Sequence, residues 1–316
     1  MHIITKFFKL VELPTKVASM IPFLLGSLYA WYYFDTFSTP LFLLMLVSLL
    51  FFDMTTTAIN NLFDYVKAKK RHGYGYEEHN AIVKYKMNPI FVFILILIMF
   101  LSSVFAGLVL VSQTNLVVLV LGFLSFGVGI LYSFGPIPIS RMPLGELFSG
   151  LFMGFVITFV AAYIHSDGGQ LATITLLGSQ LSININIVEI LLILLISIPT
   201  ILGIANIMLA NNISDIDEDI VNKRYTLPHY IGKSNALYLF RYLYYASYLD
   251  IPILIYLGVP WWLALAIIIT VIPVHKNINT FVAAPSKGGT FHLAVKNFII
   301  ISMARVIVLF IAVLLQ

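Results

Sequence analysis

Residues 89–111 read PIFVFILILIMFLSSVFAGLVLV, 23 consecutive positions without a charged side chain. A run of about 18 or more such residues crosses a bilayer as a helix. Comparable runs recur along the chain, at Val17 to Phe34, Leu41 to Ile59, Leu116 to Phe134, Leu144 to Ile164, Ile187 to Leu209, Ala236 to Leu257, Trp261 to Val274 and Leu293 to Leu315. They predict an all-α fold, a polytopic membrane bundle of about nine transmembrane helices forming a single domain over residues 1–316. Trp261 to Val274 is short for a span and contains Pro273, so eight helices with one re-entrant segment is the alternative. Composition agrees: 60% of the 316 residues are hydrophobic and only 10% charged, with a mean hydropathy of +0.98. A soluble fold could not hide this much apolar surface.

The basic residues set an expected orientation, because Lys and Arg collect in cytoplasmic loops. With nine spans and a cytoplasmic N-terminus, all 18 fall in cytoplasmic segments or within helices, while the opposite loops at 35–40, 112–115, 165–186 and 258–260 contain none. The net charge of +4 then follows from topology, with anionic membrane lipid as the partner surface and no nucleic acid. The expected location is the cell (plasma) membrane. Lys6, Lys9, Glu12 and Lys16 precede a long first apolar run without a small-residue cleavage pattern, which predicts a retained anchor and not a signal peptide. The chain has no Cys, which excludes disulfides, thiolate ligands and a Cys nucleophile.

Two long cytoplasmic segments, 62–88 and 210–235, interrupt otherwise short connections. Each begins where an apolar helix runs into acids and amides. Asn60 and Asp64 are four apart and share one helical face; Asn211, Asp215 and Asp219 repeat every fourth residue on another. Hard oxygen ligands with few carboxylates suit Mg²⁺ that also takes oxygens from a substrate phosphate. Cations follow each cluster and would neutralise that phosphate: Lys67, Lys69, Lys70 and Arg71 after the first, Lys223 and Arg224 after the second. The competing reading is that the acids cap helix ends in water while the lysines only enforce topology. A Ca²⁺ loop fits poorly, because the Gly at its sixth position is missing.

The segment Asn211-Asn212-x-x-Asp215-Ile216-x-x-Asp219, followed by Asn222-Lys223-Arg224-Tyr225-Thr226-Leu227, resembles the second aspartate motif of the UbiA family of intramembrane aromatic prenyltransferases, and most of all its 1,4-dihydroxy-2-naphthoate branch. The first motif matches at Asn60 and Asp64, whereas Asn61 and Ala68 stand where the family often has aspartates. Tyr132-Ser133-Phe134-Gly135-Pro136-Ile137-Pro138, with Gly145-Glu146 and Gly154, is similar to the family's Tyr-x-x-Gly-Pro and Gly-Glu region. Glu12 to Lys16, Ile21-Pro22 and Gly26 resemble its first helix. Ser214 stands where the family often has Arg, which makes Lys16 a candidate for the missing phosphate contact.

The resemblance implies that an isoprenyl diphosphate binds between the two motifs on the cytoplasmic side. Mg²⁺ would meet Asn60 and Asp64 on one side and Asp215 and Asp219 on the other, and Lys223, Arg224 and Lys67 would hold diphosphate oxygens. Asp64, Asp215 and Asp219 are then the catalytic carboxylates, acting through the metal they hold, with Tyr132, Glu146, Asn211 and Asn212 near the acceptor and the allylic cation. The implied reaction joins a polyprenyl group to 1,4-dihydroxy-2-naphthoate with release of diphosphate and CO₂, giving demethylmenaquinol; 4-hydroxybenzoate is the alternative acceptor. A secondary transporter is the rival class, although its acids would lie nearer the bilayer midplane. A binder descended from an enzyme is the third.

Two further features have structural readings. Arg305 lies near the middle of the last apolar run, where an unpaired charge costs at least about 2.5 kcal/mol, so it is expected to face the bundle and to have a partner. Glu146 near a helix start is favoured by the helix dipole. His72, His79, His229, His275 and His292 show no i, i+4 pairing, which argues against a His metal site.

Overall fold

A computed structural model describes residues 3–67, 80–133, 139–166, 170–221 and 223–316. Among them, five helices are long and apolar enough to cross a membrane, Thr39–Val66, Pro89–Ser112, Gly145–Tyr163, Trp261–Ala283 and His292–Leu314, or six if the bent pair Ile187–Ile196 and Ile198–Ser214 counts as one span. The protein is therefore a mostly helical integral membrane protein. Its chain divides into two compact units, Met1–Met20 with Leu43–Gln113, and Ile21–Phe42 with Thr114–Gln316.

In the first unit, the core gathers Leu10, Val11, Met54, Ala58, Ile82, Val92, Ile96 and Met99. Polar side chains fasten it where no water is at hand. Ser48 Oγ donates to the Ser103 carbonyl at 3.0 Å while Ser103 Oγ donates back to the Ser48 carbonyl at 2.7 Å, so two apolar helices exchange hydroxyl bonds. The Pro89–Ser112 helix starts at Asn88, whose side chain accepts from Ile90 N at 2.9 Å. An Asn cap followed by Pro at the first helical position is a preferred helix start.

In the second unit, the Gly145–Tyr163 and Ile198–Ser214 helices approach through glycines. A Cβ at Gly154 would stand 2.6 Å from Ile201 Cα, and one at Gly150 would stand 2.7 Å from the Ile201 carbonyl oxygen. Small residues let membrane helices pack backbone to backbone, where dispersion replaces the missing hydrophobic drive. Gly154→Ala is therefore expected to force the helices apart and lower stability by about 1–3 kcal/mol. Thermal unfolding in detergent checks this, and an unchanged midpoint would show that the contact yields freely. The Ile187–Ile196 helix meets its successor at a 51° bend, where Pro199, two residues beyond Ser197, removes an N–H from the ladder.

Two features differ from the sequence expectation, and one expected span proves longer than its apolar run. The fold is not purely helical: Ala172–Leu177 and Gln180–Ile185 pair antiparallel, from Ala172 opposite Ile185 to Leu177 opposite Gln180. Their period-two alternation of apolar and polar residues favours strands, and Gly178, at φ +61°, makes the two-residue turn possible. The Trp261 helix runs on to Ala283, with Pro273 accommodated in it, and so is long enough to span. The Ala236 to Leu257 run is instead divided into Lys233–Ala246 and Ile251–Tyr256.

Candidate diphosphate and acceptor sites

The second acidic motif lies where the Ile198–Ser214 helix ends and the short Ile216–Val221 helix begins. Asp215 N donates to the Asn211 carbonyl at 3.1 Å and Asp219 N to the Asp215 carbonyl at 2.8 Å, so the i, i+4 register continues across the junction. Asp215 and Asp219 are consequently buried together, while Asp217 and Glu218 face outward. Each buried acid meets one cation. Lys287 donates to Asp215 Oδ2, and Arg224 Nη1 lies 3.3 Å from Asp219 Oδ1. The Arg224 contact is prepared by the backbone: Lys223 adopts φ +53°, and Arg224 N turns back to the Asp219 carbonyl at 2.8 Å. This left-handed step is a common way to end a helix. Burial pushes the Asp219 carboxyl above the ordinary aspartate range; Arg224 opposes that rise and Asp215 adds to it.

Beside this motif, Asn212 Nδ2 donates to Glu146 Oε1 at 2.8 Å, and both residues are buried. Glu146 Oε2 and Asn212 Oδ1 have no hydrogen-bond partner among the described residues. The Tyr132 hydroxyl is close by, 3.7 Å from where a Cβ on Gly145 would stand. A carboxylate and an amide thus meet at this helix start with acceptor capacity to spare, and a phenol stands near them. Asn211, half-buried, is adjacent.

Asn60 and Asp64 belong to the first unit, on an exposed face near the end of the Thr39–Lys67 helix. Asn61 turns the other way and is structural. Its side-chain amide donates to the Leu10 carbonyl at 3.2 Å, and its backbone carbonyl accepts from Asn80 Nδ2 at 2.7 Å. Lys16 also turns inward, 3% exposed, with its ammonium donating to Asp53 Oδ1 at 2.5 Å, the Asp53 carbonyl at 3.1 Å and Thr57 Oγ1 at 2.7 Å. All three of its donors are taken, so Lys16 offers no free donor to a phosphate. The Lys67 side chain, Ala68 to Arg71, His72, His79, Phe134 to Pro138 and Asn222 lie outside the described residues.

A model of the UbiA prenyltransferase family matches residues 19–287. The chain belongs to the UbiA prenyltransferase family. It is 30% identical over 252 residues, 78% of this chain and 73% of the relative, to the 1,4-dihydroxy-2-naphthoate octaprenyltransferase of Bacillus subtilis. In fold it is similar to a UbiA homologue from Archaeoglobus fulgidus whose structure contains GPP and Mg²⁺, at TM-score 0.63 and 16% identity over 98% of this chain and 99% of that one. A homologue from Aeropyrum pernix, solved without ligand, superposes at TM-score 0.65 and 19% identity over 97% of this chain and 98% of that one. This UbiA-family prenyltransferase thus carries the family fold over nearly its whole length.

For a UbiA-family enzyme, the donor set is chemically suited to Mg²⁺: two buried carboxylates, one of them with an unpartnered oxygen, Asp219 Oδ2. No group of three or more His, Cys, Asp or Glu among the described residues forms a ready-made metal cage. Neither Lys287 nor Asp53 stands out in the sequence patterns. No local spacing could have flagged either, since their partners lie 72 and 37 residues away.

Proposed function

We propose that this UbiA-family prenyltransferase transfers a polyprenyl group from an isoprenyl diphosphate to 1,4-dihydroxy-2-naphthoate, with loss of diphosphate and CO₂, at the cytoplasmic face of the plasma membrane. The likeness to the Bacillus subtilis naphthoate octaprenyltransferase carries the choice of acceptor. The whole chain is read as one transferase domain of nine transmembrane helices with a cytoplasmic N-terminus, embedded in membrane lipid.

Asp215 and Asp219 are assigned as metal ligands, and Asn60 and Asp64 share that role. When bound, Mg²⁺ supplies positive charge to the departing diphosphate. Arg224, Lys223 and Lys67 hold diphosphate oxygens, so charge building up as the C–O bond breaks meets fixed cations. Glu146, oriented by Asn212, uses its second oxygen to accept a hydrogen bond from an acceptor hydroxyl, which keeps the ring electron-rich. Tyr132 and Asn211 complete that pocket. The ring carbon that bears the carboxylate attacks the allylic carbon as the C–O bond breaks and diphosphate leaves with its electron pair, and the C–CO₂ bond then breaks to return its electrons to the ring.

Mass spectrometry of products tests this reading, using purified protein in lipid with Mg²⁺, an isoprenyl diphosphate and either 1,4-dihydroxy-2-naphthoate or 4-hydroxybenzoate. A prenylated, decarboxylated naphthoquinol that disappears with chelator is the expected result. Prenylated hydroxybenzoate alone would keep the chemistry and replace the acceptor. A folded protein that makes neither product would overturn the proposed reaction in favour of a transporter or a binder.

A further inference from the structure

We propose that Lys287 is a diphosphate-binding residue that occupies Asp215 until substrate arrives, an inference resting on the reading of Asp215 and Asp219 as metal ligands. Lys287 sits between the Val271–Ala283 and His292–Leu314 helices, far in sequence from either acidic motif.

The loop that carries Lys287 is built to hold a position. Thr290 Oγ1 donates to the Ala284 carbonyl at 2.8 Å and accepts from Ser286 N at 3.1 Å, while Thr290 N and Phe291 N both donate to the Ser286 carbonyl at 3.0 Å. The anchored backbone leaves the flexible Lys side chain to make the reach. Its ammonium ends on Asp215 Oδ2, yet the Lys287 side chain is 57% exposed against 9% for Asp215. A pair this open to solvent contributes little to folding. What it does alter is the charge at the motif.

Lys287 and Arg224 face the two buried carboxylates one apiece, Lys287 on Asp215 and Arg224 on Asp219. The four side chains are therefore balanced without metal. A divalent cation arriving alone must displace Lys287 from Asp215. Arriving with diphosphate, it brings surplus negative charge, and Lys287 moves from the carboxylate to a phosphate oxygen within reach of the same side chain. Lys287 thus opposes metal alone and favours metal with diphosphate.

The two effects have opposite signs, which a purely structural contact would not produce. In full-length protein in lipid nanodiscs, Mn²⁺ affinity is read by electron paramagnetic resonance, and affinity for inorganic diphosphate with Mg²⁺ by calorimetry. Lys287→Gln is expected to bind Mn²⁺ several-fold more tightly and diphosphate about tenfold more weakly. Lys287→Arg should restore diphosphate binding and thereby control for folding. Unchanged diphosphate affinity in the Gln variant would overturn the proposal, as would parallel weakening of both ligands, the mark of a prop for Asp215. Wild-type protein that binds neither Mn²⁺ nor diphosphate would remove the metal-site reading itself, whatever the variants do.

Discussion

Asp215→Asn is expected to lower kcat about a hundred- to a thousandfold while leaving the protein folded. The amide matches the carboxylate in size and keeps an oxygen facing the site, but it cannot supply the negative charge that the proposed mechanism uses to hold a divalent cation against the leaving diphosphate. Folding is spared because the partner that loses its counter-charge, Lys287, is exposed and can turn to water. Asp64→Asn in the first motif should behave alike. The measurement is turnover at saturating diphosphate, beside the thermal midpoint and the elution profile of each variant. Wild-type turnover in Asp215→Asn would remove that residue from the metal site.

The largest effect on stability is expected from Arg305. It is 0% exposed and fully engaged: Nε and Nη2 donate to the two Asp250 carboxylate oxygens at 3.0 and 2.8 Å, Nη2 also to the Ser247 carbonyl at 2.9 Å, and Nη1 to the Ile301 carbonyl at 2.9 Å. The guanidinium also lies 4.9 Å from the centre of the Tyr248 ring. Arg305→Met would strand the Asp250 charge inside the helix bundle, at a cost of about 3–5 kcal/mol. Adding Asp250→Leu should recover most of the loss, because two apolar side chains replace the ion pair without an orphaned charge. Thermal unfolding of the single and double variants in detergent distinguishes the cases. A single variant as stable as wild type would show that Asp250 finds another partner, or water.

This cluster also explains why one expected span is divided. The break between Ala246 and Ile251 frees the Ser247 carbonyl for the Arg305 guanidinium and puts Asp250 opposite it. Hydropathy averages over some twenty residues and passes across such a break, because one acid in an apolar run hardly changes the mean. That Arg305 needed a partner was legible from its depth in an apolar helix; that the partner is Asp250, 55 residues away, was not.

Patterns a helix can express over one or two turns were readable directly. The apolar runs identified a membrane protein, and the four-residue spacing of Asn211, Asp215 and Asp219 placed them together, because an α-helix returns to the same face after that interval. The burial of Asp215 and Asp219, with Asp217 and Glu218 turned outward, follows from the same periodicity. Tertiary structure alone decided which isolated residues meet: Glu146 with Asn212, Lys16 with Asp53, Lys287 with Asp215, and Arg305 with Asp250. Each pair joins segments whose approach is set by helix packing, and by glycine contacts such as Gly154 on Ile201. Local periodicity carries no information about which distant side chain will be opposite, whereas the cost of burying a charge or an amide without a partner makes that choice decisive for the folded protein.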